Sequence, residues 1–174
     1  MILRSELDGF TVEYRTGDKI GKIKDIIVDS TKERWPVVGL YISPGIGKRE
    51  IVIEPTQMVD IDVDEETIVV TGEAKIERPV IDASNREHLL LEFVEDQPVL
   101  TKDGEKIGKI YDAVVMEGLM PWKVWKVLIK TKGLRSRRLR MDVRDIAKIT
   151  DEAIELKLLK AEIEELEQET EVVG

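Results

Sequence analysis

The chain has no cysteine, which excludes disulfide staples and thiolate metal ligands. Its one histidine, His88, has no second histidine or cysteine to complete a transition-metal site or a nucleophile–base pair. Amides are scarce, with one Asn and three Gln, and aromatics make up only 5% of the chain. Few amides beside 36% charged residues is a profile of proteins from hot environments. No apolar run exceeds about six residues, far short of the ~20 a spanning helix needs. Met1-Ile2-Leu3-Arg4 does not read as a signal peptide, so a soluble, cytoplasmic protein is expected, with no transmembrane segment. Positive charge is also short: 27 basic residues face 36 acidic ones, and a net charge of −9 speaks against a general binder of phosphate backbones. At 174 residues the chain makes one ordinary domain or two small ones. Two units of roughly 80 residues would each be marginal alone, so packing together or dimerising would help both.

What the chain does contain is a phrase written twice. Gly17–Asp25 reads GDKIGKIKD and Gly104–Asp112 reads GEKIGKIYD, 87 positions apart. The match runs on without a gap: Val12 aligns with Val99, Trp35 with Trp122, Val37 with Val124 and Ile42 with Ile129. Roughly twelve of 31 paired positions are identical, which makes the chain an internal duplication.

Each copy opens on a turn glycine, Gly17 or Gly104, where a tight hairpin needs positive φ. Gly21 and Gly108 then fall inside strand-like runs, which marks a bulge or a close backbone approach. Val37–Ile42 and Val124–Ile129 are β-branched and aromatic, as strands are. Ile51 with Ile53, and Leu139 with Met141 and Val143, alternate as half-buried strands do. Thr67–Val70 and Ala153–Leu156 read as closing strands. Short strands and frequent turns predict two small β-barrels. Residues 73–95 read as a linker, with a short helix over Ser84–Leu91 capped by Ser84. From Leu156 the apolar positions Leu156, Leu159, Ile163 and Leu166 are spaced three and four apart, which predicts an amphipathic helix of about 14 residues. Its stripe either folds back onto a barrel or pairs with another chain.

The phrase IGKI-x-D, with a turn glycine before it and an apolar strand after it, resembles the PRC-barrel family over Leu3–Val70 and Leu90–Leu156. Ile51–Pro55 with Val59, and Leu139–Val143 with Ile146, fit the same pattern, although repeat 2 has Asp142-Val143 where repeat 1 has Glu54-Pro55. The resemblance implies a mainly β chain: barrel 1 over residues 1–72, a linker over 73–95, barrel 2 over 96–156 and an acidic amphipathic C-terminal helix and tail over 157–174. It implies an adaptor module without catalytic apparatus or cofactor. A chain made almost wholly of two such units resembles the archaeal PRC-barrel adaptors of FtsZ-based cell division. Those associate with the membrane-anchoring protein SepF and with other PRC-barrel proteins, so membrane association is expected to be indirect, at mid-cell through a partner. A homodimer is expected. The alternative is an RNA-linked or ribosome-maturation adaptor, similar to RimM, although RimM carries a different N-terminal barrel.

No residue is placed for catalysis, cofactor binding or metal binding. Asp60, Asp62 and Asp64 fall on one strand face and could meet a hard cation, but they lack the spacing of a calcium loop and read as a solvated edge. Arg135, Arg137, Arg138, Arg140 and Arg144 form a candidate basic patch, for RNA, for anionic headgroups or for the acidic tail. The repeats differ most at one loop. Repeat 1 has Lys32-Glu33-Arg34 before Trp35, whereas repeat 2 has Leu119-Met120-Pro121 before Trp122, and Trp125 replaces Val38. Apolar residues at a loop tip point to an interface. Leu119, Met120, Trp122, Trp125, Leu159, Ile163 and Leu166 are the candidate interface, with Trp35 and Trp122 read as core or seam.

Overall fold

A computed structural model describes residues 1–71, 82–118, 120–132 and 137–165. The chain opens with β1 (Ile2–Leu3) and one helical turn, α1 (Arg4–Leu7). Repeat 1 continues through β2 (Thr11–Tyr14), β3 (Lys19–Val28), β4 (Val37–Ser43), β5 (Ile51–Ile53), β6 (Met58–Asp62) and β7 (Thr67–Val70). Next come β8 (Leu89–Leu90) and a 3-10 turn at Leu91–Phe93. Repeat 2 then runs through β9 (Pro98–Leu100), β10 (Lys106–Met116), β11 (Lys123–Thr131), β12 (Arg138–Asp142), β13 (Ile146–Ile149) and β14 (Ile154–Leu156). Residues 160–165 form a helix, α2. No helix among the described residues is long and apolar enough to cross a membrane.

The protein is mainly β and built as two sheets of one topology, β5-β4-β3-β2-β7-β6 and β12-β11-β10-β9-β14-β13. The ladders β2–β7 and β9–β14 are parallel, and the others are antiparallel. The closed barrels expected from sequence are not found: among the described residues no ladder joins β5 to β6 or β12 to β13. A 3-10 turn takes the chain from one edge to the other in each repeat, at Pro55–Gln57 and Val143–Asp145. Pro55 has no N–H to give a ladder, and the Asp142 carboxylate takes the Arg144 N–H instead.

The repeated glycines do what their spacing predicts. Gly17 and Gly104 have φ of 88° and 84°. A Cβ on Gly21 would stand 2.4 Å from the Ser43 carbonyl oxygen, and one on Gly108 would stand 2.1 Å from that of Lys130. Backbone cannot swing aside as a side chain can. Gly108→Ala is therefore expected to cost about 2–3 kcal/mol in urea unfolding, as overpacking does; an unchanged midpoint would show that the strands can part there. Beyond each glycine the register slips, between Ile23 and Asp25 and between Ile110 and Asp112. Such bulges re-aim side chains, and here the aspartate that ends each phrase turns inward to 1% and 5% exposure.

Two strands cross between the repeats. β1 of repeat 1 pairs with β10 of repeat 2, matching Ile2 to Val115 and Leu3 to Val114. β8 pairs with β3 of repeat 1, matching Leu89 to Val28 and Leu90 to Ile27. Every one of these residues maps onto its counterpart by the same shift of 87 positions, so the exchange is reciprocal and pseudo-twofold. Residues 89–95, assigned to the linker from sequence, are thus the opening strand and turn of repeat 2. The helix expected over Ser84–Leu91 does not form. Asp82 accepts the backbone N–H groups of Ser84 and Asn85, and this local turn wins over helix before β8 begins. One continuous apolar core spans both repeats, from Ile2, Val28 and Trp35 to Val115, Trp122 and Ile154.

Candidate functional site

Each phrase-ending aspartate clasps the opposite repeat. Asp112 accepts the N–H of its neighbour Ala113 at 2.8 Å and, from α1 of repeat 1, the Ser5 N–H at 3.1 Å and the Ser5 hydroxyl. Asp25 accepts the N–H of Ile26 and, from the turn after β8, that of Glu92, both at 2.8 Å. Ser5 and Glu92 are equivalent by the repeat shift, so the two clasps mirror one another. Their symmetry breaks at Arg4, whose counterpart is the buried Leu91. Arg4 pairs with Glu95 and lies 3.7 Å from Asp25.

Burial pushes the Asp25 carboxyl up to about 7, against the pull of the Glu92 and Ile26 N–H groups and of Arg4. Burial also raises Glu95. The folded state therefore holds a proton on Asp25 that the unfolded chain releases near pH 4. This stabilisation is fully present below about pH 4 and is lost as pH rises through 7, and Glu95 acts in the same direction. Asp25→Asn is expected to flatten the fall in unfolding free energy between pH 4 and 8, where a rise from the ordinary value to about 7 is worth up to about 4 kcal/mol at 1.4 kcal/mol per unit. Parallel curves for the variant and the parent would refute this.

Between the clasps the two tryptophan segments pair across the seam. The Val37 N–H donates to the Trp122 carbonyl at 2.7 Å, and the Val124 N–H donates to that of Trp35 at 3.2 Å. The divergent loops just before each tryptophan lie over the opposite repeat. On one side Arg34 stands 3.9 Å from Asp142, and Arg144 binds Asp142 at 3.0 Å and stands 3.9 Å from Glu33. These charges stand at the surface on the side where a smaller cleft of about 190 Å³ runs between Ser30, Trp35 and Ile146–Ile149. On the other side Met120 and Pro121 carry no charge to match, and a groove of about 660 Å³ opens between them and Val37, Val38, Pro55 and Met58. His88 and Glu54 supply its polar wall, and Met120 is 48% exposed.

The predicted interface residues divide accordingly. Met120 lines the groove, but Trp122 is buried in the seam and Trp125 is half-buried, with Lys126 Nζ 4.5 Å from its ring centroid. Of its two sequence readings, Trp122 takes that of core or seam and not that of a contact surface. Leu156 ends strand β14 rather than starting a helix, and the helix begins at residue 160. Ile163 is buried against the chain's own core, so the first turn of α2 packs in cis, and Leu159 stays exposed. Lys160 ties that turn to Glu105 at 2.8 Å. Of the basic patch, Arg144 is held by Asp142, Arg138 lies over the Tyr111 ring, Arg137 donates its backbone N–H to Thr131, and Arg140 points to solvent. Leu119, Arg135 and Leu166 lie outside the described residues. Val63 and Asp64 leave the predicted strand face for the β6–β7 turn, where Asp62 accepts the Glu65 N–H.

Sequence reasoning missed Glu54, Pro55 and Met58 as groove residues, and Arg4, Ser5, Asp25, Glu92 and Asp112 as the clasp. The signal for the clasp was present, because an aspartate set in both copies directly before an apolar run, Ile26–Val28 or Ala113–Val115, is out of place on a merely structural strand. A scan against protein-family models gives no match to this chain, and a search of curated proteins gives none either.

Proposed function

We propose that the protein is a non-enzymatic tandem PRC-barrel adaptor that binds protein partners through the groove between its repeats. The observation that carries this reading is the broken symmetry of the seam. Two sides equivalent by duplication are built differently, one carrying the charges of Arg34, Asp142, Arg144 and Glu33 beside a cleft of about 190 Å³, the other apolar around Met120 over a groove of about 660 Å³. A half-exposed methionine beside valine, proline and a second methionine is the kind of surface a partner covers. The sequence resemblance supports a role for such an adaptor in archaeal FtsZ-based cell division, with SepF-like or other PRC-barrel proteins as partners and with self-association as a homodimer.

Met120→Glu, at a side chain that is 48% exposed, is expected to abolish partner capture and dimerisation while leaving the urea midpoint unchanged. Pull-down from native lysate and light scattering on the purified chain measure the two. If dimer and partner both survive, the groove is not the contact surface.

One observation favours an RNA-linked role instead. Lys106 holds its proton less tightly because the Lys132 and Lys109 side chains crowd it, so cations gather there. That reading predicts RNA affinity falling steeply with salt, and no RNA retention at low salt would remove it.

A further inference from the structure

The end of repeat 1 far from the seam carries a feature that the adaptor reading does not use. The loop between β4 and β5 runs Pro44-Gly45-Ile46-Gly47-Lys48-Arg49-Glu50. Ile46 is fully exposed at 107% of its reference area, the highest value of any large apolar side chain described. It is held there by design of the backbone: Gly45 and Gly47 flank it with φ of 141° and 76°, and the Lys48 N–H closes the turn on the Gly45 carbonyl. An isoleucine presented between two left-handed glycines cannot fold back to shelter on the sheet.

Cations surround it. Lys19, Lys22, Lys48 and Arg49 are all exposed, and none has a carboxylate partner among the described residues. Lys24 is the exception, bound to Glu50 at 3.1 Å. Lys19, Lys22 and Lys24 also line an open groove of about 650 Å³ beneath the loop, floored by Gly21 and Ser43, in which Asp8 is the one carboxylate. In a chain of net charge −9, unpaired cations gathered at one end mark a local preference for anions. Phosphate alone would leave Ile46 in water. A nucleic-acid backbone has no use for an aliphatic tip either, whereas a bilayer interface accepts an apolar side chain at the depth where its headgroups meet lysine and arginine.

We infer that this loop is a docking surface for an anionic lipid bilayer, with Ile46 entering the headgroup–acyl boundary and Lys19, Lys22, Lys48 and Arg49 gathering headgroups around it. The contact is direct and does not depend on the partner groove. Its two components have separate signatures, since the charges confer salt dependence and the isoleucine confers insertion.

The test uses the full chain with vesicles of phosphatidylcholine alone and of phosphatidylcholine mixed with phosphatidylglycerol. Cosedimentation is expected with the anionic vesicles only, weakening as salt rises. Ile46→Ser and the pair Lys48→Glu, Arg49→Glu are each expected to weaken it by about tenfold with unchanged thermal unfolding, because these side chains pack on nothing. Since the chain lacks cysteine, Ile46→Cys takes a single environment-sensitive fluorophore. Its emission is expected to shift to the blue on anionic vesicles. Absence of binding at low salt, binding that survives Ile46→Ser, or no spectral shift overturns the proposal. Polyuridylate binding that is lost in the charge-reversed pair, with no shift on vesicles, reassigns the loop to nucleic acid and also overturns it.

Discussion

Asp112→Ala is expected to lower the unfolding free energy by about 3–5 kcal/mol, although it removes only a small side chain. Little apolar area is lost, so the cost comes from what the carboxylate satisfied. The Ala113 N–H, the Ser5 N–H and the Ser5 hydroxyl lose their acceptor at a site only 5% exposed, and an unsatisfied buried donor costs about 1–3 kcal/mol. Asp112→Asn keeps one acceptor oxygen and is expected to cost about half as much. Asp25→Ala strands the Ile26 and Glu92 N–H groups and takes one of its charged neighbours from Arg4, which keeps its ion pair with Glu95. The two aspartates share Arg4 as a charged neighbour, so the double variant is expected to depart from additivity. Urea titration measures all four. A loss below about 1 kcal/mol for Asp112→Ala would mean that water or a shifted α1 replaces the acceptor, and the clasp would then hold little.

Separating the repeats is expected to have a still larger effect. Chains of residues 1–71 and 82–174, made apart, are each expected to be unfolded or to form a swapped dimer, never a folded monomer. Fragment 1–71 keeps β1 but has no β10 to pair it with, and it bares the edge of β3 and the buried face of Val28 and Trp35 that β8 and the Trp122 segment cover. A unit of roughly 70 residues has no surplus of buried surface to absorb this. Mixed in equal amounts, the fragments are expected to form a one-to-one complex with the near-ultraviolet spectrum of the intact chain. Light scattering and circular dichroism report both outcomes, and a folded monomeric 1–71 would show that the exchange of strands is incidental.

The strands were legible in the sequence wherever an element was long enough to carry a period. Lys19–Val28, Val37–Ser43 and their copies follow from β-branched runs and turn glycines, and the close approach at Gly21 and Gly108 follows from a glycine that both copies keep inside a strand. Ile2–Leu3 and Leu89–Leu90 could not be read in this way, because two residues hold no periodicity and each pairs more than 60 positions away. The tail misled for a related reason. Leu156 fits a helical stripe with Leu159 and Ile163, but the antiparallel ladder of β14 with β13 claims it first, pairing it with Ile146. At the candidate site, the contrast between Lys32-Glu33-Arg34 and Leu119-Met120-Pro121 was visible in sequence, whereas the wall that Met120 faces, from Glu54 to Met58 and His88, was not.

The sequence by itself determined a duplicated, mainly β chain, the turns and glycines that shape each copy, and the loop where the copies part. Those properties are local, set by side-chain period, φ and composition within a few residues. Only the tertiary structure decided that the copies exchange their first strands, that the repeated aspartates bind across the seam, and that one side of it carries a cluster of charges while the other opens an apolar groove. Such features depend on which unpaired N–H meets which buried acceptor once the chain has closed on itself, and no local pattern encodes that meeting.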